Sequence, residues 1–284
     1  MSGLDDSGLH WRFRAGRSLP RNKTLIMGIV NLTPDSFSTG LGSAPSPAAA
    51  AEAALRLIDE GADLIDFGAE SSRPGAVGLD EAEEIRRLGD VVARFRTRSE
   101  APVSIDTYHA GAAALALEQG ADIINDITAL RGGWEGEESG PMAELAARER
   151  AAVILMHMPA PPAAMAAGAA YQDVVAEVSS FLSRRAERAI RAGVARDGIW
   201  LDPGFGFGKD FANNRELLLR LGGLTGLGFP VLAGLSRKRM IHDALGLPPG
   251  ERLEASLALA VAAALNGAAM VRVHDVRATA RAVG

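Results

Sequence analysis

Side chains able to do chemistry fall at regular places in this chain, at or just beyond the ends of short apolar runs. Asn31 follows TLIMGIV, Glu70 ends LIDFGAE, Asp106 ends VSID, Asn125 and Asp126 end DIIND, and His157 ends VILMH. Asp202 ends WLD, Ser236 ends VLAGLS, and Arg272 and His274 lie in MVRVHD. Two carboxylates and an amide brought together at Asp106, Asn125 and Asp202 would suffer desolvation and mutual repulsion. A ligand rich in N–H donors relieves that cost, and a flat heterocycle with a guanidine-like edge is such a ligand. The plainer alternative is helix N-capping by Asp and Asn.

The segments between the runs carry the complementary groups. In NLTPDSFSTG, Asn31, Asp35 and the serines offer oxygen ligands suited to Mg²⁺ held beside a substrate phosphate, although the same residues also make ordinary turns. In ESSRPG, Arg73 beside Pro74 suits an anion clamp, with a solvated surface arginine as the alternative. LDPGFGFGK (201–209) is not a phosphate-binding Walker loop, because Asp210 follows where Ser or Thr is needed. Its Phe205 and Phe207 either stack on a ring or fill the core. Arg272 and His274 alternate onto one side of their run and can face one anion. Lys238, in SRKR, adds a point charge. It is one of three lysines (Lys23, Lys209, Lys238) among 30 basic residues, in a chain that otherwise uses the arginine fork. His157 is read equally as a functional or a satisfied structural histidine.

These residues need a scaffold that makes run ends converge. Ala/Leu/Arg/Glu-rich helical stretches separate most of the runs, which implies parallel strands. Eight such units fit a (β/α)₈ TIM barrel, whose active site lies at the C-terminal strand ends. GADLID (61–66) returns as GADIIN (120–125) and weakly as GAAMVR (267–272), each a helix ending on glycine before a strand. Residues 1–22 contain the alternating LHWRFR, read as a short N-terminal β cap on the barrel bottom. No linker divides the chain, so residues 1–284 form one domain. The long segments Asn31–Pro47, Glu70–Leu79 and Met158–Gly168 have the character of lids.

Composition sets limits. The chain has 284 residues, 48% hydrophobic and 23% charged, which suits a globular domain rather than disorder. It has no cysteine, which excludes disulfides, thiolate metal sites and a cysteine nucleophile and suits a cytoplasmic protein. The N-terminus carries acids and no apolar core, unlike a signal peptide. The Ala-rich stretch 255–271 reads as a helix against the barrel, not a membrane span. A net charge of −5 argues against nucleic acid as partner.

Taken together, MGIVNLTPDSFS, ESSRPGA, SIDT, IINDI, LMHM, LDPGFGFGK, GLSRK and RVHDV resemble the dihydropteroate synthase family over about residues 24–280. The resemblance implies a TIM barrel, usually dimeric, that joins 6-hydroxymethyl-7,8-dihydropterin diphosphate to p-aminobenzoate with release of pyrophosphate. It implies that Asp106, Asn125, Met156, Asp202, Phe207 and Lys238 bind the pterin, and that Asn31, Arg272 and His274 hold the diphosphate with Mg²⁺ on Asn31. Phe37, Ser72, Arg73, Pro74 and Ser236 would enclose p-aminobenzoate. Asp35, Arg73, Asp106 and Lys238 would form the catalytic set. Thr39 and Leu41 depart from the family's usual Asp and Gly. The alternatives are a weak or silent pterin-binding paralogue and a pterin-dependent methyltransferase on the same fold.

Overall fold

The computed structural model describes residues 10–33, 45–71, 76, 78–132, 140–167 and 170–284. An antiparallel hairpin, β1 (His10–Arg12) and β2 (Ser18–Pro20), precedes the parallel strands. These are β3 (Leu25–Asn31), β4 (Leu64–Gly68), β5 (Val103–Asp106), β6 (Ile123–Asp126), β7 (Ala152–Met156), β8 (Ile199–Asp202), β9 (Leu232–Ala233) and β10 (Met270–Val273). They lie in the order β8-β7-β6-β5-β4-β3-β10-β9. A parallel bridge from Leu201 to Val231, with the Leu201 N–H donating to Pro230 O at 2.9 Å, closes β8 onto the β9 side. The barrel read from the sequence is therefore present, and closed.

Strand parity divides the chemistry. Outward residues such as Ile26, Phe67, Ile105, Val153 and Leu201 join a core with small helix residues, among them Ala50, Ala54, Ala113 and Ala146. Inward residues at the strand starts (Leu25, Met27, Leu64, Ile123, Ile154, Trp200, Leu232 and Met270) fill the lower barrel. Two residues further along the same inward face come Asp66, Asn125, Met156, Asp202 and Arg272, because side chains alternate along a strand. Ser104 and Asp106 continue the pattern on β5. Most strands thus start apolar inside and several end polar inside, while β5 is polar at both levels and β7 ends on Met156.

The glycine repeat is a helix-ending device. Gly61, Gly120 and Gly267 have φ of 106°, 107° and 94°, a region where a Cβ is strained. In each case the two N–H groups after the helix return to its last carbonyls, as in Gly61 to Ile58 O and Ala62 to Leu57 O. The chain then enters the next strand. Gly193, at φ 98°, does the same without the GAD signature. Two runs are shorter as strands than as sequence: β9 keeps only Leu232 and Ala233, and His274 lies one residue past β10. The 255–271 stretch runs from the helix Leu253–Leu265 into β10, and no helix among the described residues is long and apolar enough to cross a membrane.

The hairpin closes the bottom. Leu19 joins the lower-barrel cluster, and the Trp11 ring stacks on Trp200 with centroids 4.6 Å apart. Asp122, fully buried where β6 begins, accepts from Arg17 of the hairpin at 2.9 Å, from Arg96 at 2.6 Å and from the Val103 N–H at 2.9 Å. Removing one partner of a buried ionic group strands the others. Asp122→Ala should therefore cost about 3 kcal/mol in denaturant unfolding while leaving ligand affinity at the other end of the barrel unchanged. A loss below about 1 kcal/mol would show that the staple is dispensable.

Candidate active site

At the upper mouth, Arg272 is the hub. Its Nε donates to Asp66 Oδ2 at 2.6 Å and its Nη2 donates to Asp106 Oδ2 at 2.8 Å. Asn125 donates from Nδ2 to the same Asp66 oxygen at 3.3 Å. Side chains from β4, β5, β6 and β10 thereby meet at one point. Asp202 faces them from β8, with Oδ1 accepting the Gly204 N–H at 2.7 Å. Lys238 completes the ring, its Nζ 3.6 Å from the centre of the Phe207 ring and within the field of Asp202, Arg272 and Asp106.

The floor beside these polar groups is apolar. Met156 and Phe207 cluster with Ile127, Met158 and Met165, and Tyr108 packs against them. Phe205, by contrast, is core beneath the turn. Lys209 folds that turn, donating Nζ to Gly204 O at 2.9 Å, Phe207 O at 3.1 Å and His157 O at 3.3 Å. Gly204, at φ 66°, leaves no room for a Cβ, which would fall on the His157 carbonyl oxygen.

Electrostatics follow from crowding in a partly dry mouth. Burial pushes the Asp106 carboxyl up to about 7, repulsion from Asp66, Glu84 and Glu70 adds to it, and Arg272 opposes. Burial likewise raises Asp202 and pulls the Lys238 ammonium down to about 8. Behind Asp106 a small crevice is lined by Glu70, Glu84, Thr107, Tyr108 and Ile127. Glu84 accepts from Thr107 at 2.9 Å and faces His109 Nδ1 at 2.6 Å, while Glu70 receives the Tyr108 hydroxyl at 2.9 Å and the Leu79 N–H at 3.2 Å. Glu70 and Asp126 serve the loops. Asp126 accepts from the Thr128 N–H at 2.7 Å and the Leu130 N–H at 2.9 Å.

Arg272 and His274 can face one anion by their alternation. Burial and the neighbouring Arg272 hold the His274 ring down to about 3, so it stands there uncharged at neutral pH. Ser236 Oγ accepts the His274 backbone N–H at 3.2 Å and lies 3.1 Å from its Nδ1. The hydroxyl can donate once and accept twice, so it meets Nδ1 in either tautomer of the ring. Arg272 is bound to two carboxylates, which use two of its five N–H groups. Asn31 ends β3 in register with Gly68, its side chain partly exposed. Asp35, Phe37, Ser72, Arg73 and Pro74 lie outside the described residues.

The sequence reading passed over Asp66. Its signal was an acid interrupting the apolar LIDFG two residues before the strand end, on the inward parity. Met165 gave no signal, since it comes from a Pro/Ala-rich stretch without period. A larger cavity of about 570 Å³ opens on the opposite face beside Trp11, Arg21, Arg196 and Phe229. It holds none of the strand-end acids or amides, so size alone does not identify the reactive end.

Comparison with known proteins agrees with this geometry. The family described as pterin binding enzyme matches residues 27–274, a span that contains every strand-end group above. The chain belongs to the pterin binding enzyme family. Dihydropteroate synthase of Escherichia coli (strain K12) is 42% identical over 271 residues, covering 95% of this chain and 93% of that protein. Xanthomonas albilineans dihydropteroate synthase solved with 4-aminobenzoic acid superposes with a TM-score of 0.87 at 43% identity, with 96% of each chain covered. The same enzyme in complex with 7,8-dihydropteroate gives 0.82 at 43% identity, covering 95% of this chain and 94% of that one. Within this pterin-binding barrel the mouth cluster occupies the end where such barrels bind ligands.

The other strand-end histidine is His157. It is buried, with its ring edge-on to Phe181 at 5.0 Å, and burial with nearby Lys209 holds it down to about 2. The unfolded chain titrates near 6.5, so the stability of keeping this ring neutral is present above that pH and lost as pH falls toward 2. His157→Phe removes the linked proton. Its unfolding free energy should fall less steeply than wild type by about 1.4 kcal/mol per pH unit between roughly pH 6 and 4. Equal slopes would show that the ring is protonated in the folded state.

Proposed function

We propose that this barrel synthesises dihydropteroate, joining 6-hydroxymethyl-7,8-dihydropterin diphosphate to p-aminobenzoate with release of pyrophosphate. The observation that carries the reading is the convergence of Asp106, Asn125 and Asp202 with Lys238 and Arg272 over a Met/Phe floor. Acceptors face a ring edge rich in N–H donors, and the sulfur and aromatic side chains take its flat face. The relatives point the same way, since they carry that activity in their names and one was solved with 7,8-dihydropteroate.

The chemistry needs no protein nucleophile. The bond between the pterin methylene carbon and the diphosphate oxygen breaks, and its electron pair leaves with pyrophosphate. The resulting cation is delocalised into the ring, where the carboxylates of Asp106 and Asp202 offset its charge. The amine of p-aminobenzoate then attacks the methylene carbon and loses a proton. Arg272 retains N–H groups for the departing pyrophosphate, and His274 stands beside it as a neutral ring. Lys238, over Phe207, keeps the pterin face and the acids in register. Asp35, Phe37, Ser72, Arg73, Pro74 and Ser236 enclose p-aminobenzoate.

Among the described residues no cluster of acids, histidines or cysteines could cage a metal by itself. A single amide oxygen at Asn31 fits Mg²⁺ held mainly through a substrate diphosphate and water. Bound there, the ion would neutralise charge on the leaving pyrophosphate. The reading extends to a cytoplasmic homodimer acting on small molecules, with the chain as one pterin-binding domain.

Purified protein given both substrates and Mg²⁺ should release pyrophosphate and form dihydropteroate. Ligand-induced stabilisation without turnover would instead identify a silent pterin binder. Asp106→Ala should weaken pterin binding by about 2 kcal/mol, roughly 30-fold, because it unpairs Arg272 and removes an acceptor. Arg73→Ala should raise the KM for p-aminobenzoate and spare pterin affinity. Equal loss of both would contradict the division of the site.

A further inference from the structure

We infer that Asp66 is a positioning residue that fixes the donor and acceptor pattern of the mouth, turning Asn125 to present its carbonyl oxygen and holding Arg272 by its Nε. The inference rests on the pterin reading and deepens it. Asp66 is fully buried on β4, beneath the groups that would meet a ligand. Both of its bonds use Oδ2, from Arg272 Nε at 2.6 Å and from Asn125 Nδ2 at 3.3 Å. Its Oδ1 has no partner among the described residues.

The consequence for Asn125 follows from the donor inventory. An ionised carboxylate only accepts, so the amide must turn its NH₂ toward Asp66. Its oxygen then faces away from Asp66, toward the open end of the barrel. A heterocycle edge made of N–H donors meets an acceptor there; were the amide free to flip, it would meet a second donor and lose the bond. The orientation of a side chain on β6 is thereby decided by a residue on β4.

The consequence for Arg272 concerns retention. In the structure Arg272 bridges Asp66 and Asp106, so a ligand that takes Asp106 must compete with Nη2. Nε remains on Asp66 during that exchange, and the planar guanidinium keeps its plane while Nη1 and Nη2 turn to an anion. Asp66 thus lets one arginine give up one partner without leaving the mouth. Asp106 is the group that senses it electrically, being faced by Arg272, Asp66, Glu84, Glu70 and Lys238.

The test is Asp66→Asn, which keeps shape and removes the charge. Calorimetric titration with 6-hydroxymethylpterin should show roughly ten-fold weaker binding or more, whether or not turnover is measured. The KM for p-aminobenzoate should stay within about two-fold. The acid limb of kcat/KM for the pterin diphosphate should move to lower pH, because repulsion on Asp106 is relieved. On an Asn125→Ala background, Asp66→Asn should cost less than it does alone, since part of its effect passes through that amide. Pterin affinity within two-fold of wild type, an unmoved acid limb, or additive losses in the double variant would each overturn the assignment. Asp66→Ser serves in the same assays if the amide does not fold. Wild-type protein that binds the pterin without turnover would count against the proposed synthesis alone, because the titration still reads Asp66.

Discussion

The mouth of this barrel depends on one guanidinium placed among acids. Arg272 rises from β10 and bonds carboxylates on β4 and β5. In sheet order β3 and β4 stand between β10 and β5, so the path along the sheet is three strand spacings, about 14 Å. An arginine cannot span that distance across a flat sheet. Curvature shortens it to a chord, and only the closed barrel makes the bridge. Without it, Asp66 and Asp106 would be neighbouring buried charges of one sign.

The two ends of the barrel solve different problems with similar residues. At the lower end Asp122 is saturated by two arginines and a backbone N–H, and Trp11 seals the stack over Trp200. There the acid's oxygens are taken up by the fold itself. At the upper end Asp66 and Asp106 share Arg272, and burial raises Asp106 and Asp202 as it raises Asp122 below. The same strand, β8, contributes Trp200 to the first arrangement and Asp202 to the second, two residues apart. Stability and chemistry are thus divided by height in the barrel, with parity keeping both on the inner face.

The charge pattern of the mouth suits a reaction that separates charge. Carboxylates pushed up by burial are relieved by a cation forming between them. His274 adds a donor without charge, while Lys238, pulled down to about 8, is still mostly protonated at neutral pH. Arg272 and Lys238 then carry the balance between acids and leaving group. That economy explains how a chain of net charge −5 accommodates an anionic substrate.

Much of this was legible from residue order alone. Apolar runs leading to Asn31, Asp106, Asn125, Asp202 and Arg272, joined by helices that stop on glycine, determined a parallel barrel, because strand length, period and helix termination are local properties. The motifs TPDSFS, DPGFGFGK and SRK determined the family. What the order of residues left open was decided by distances between strands remote in sequence. Asp66 became the partner of Arg272, 206 positions away. Phe205 went to the core and Phe207 to the mouth, and burial beside Arg272 holds the His274 ring uncharged. Hydrogen-bond partners and protonation states depend on the closed barrel's cross-strand geometry and desolvation, and neither exists until the eight strands have met.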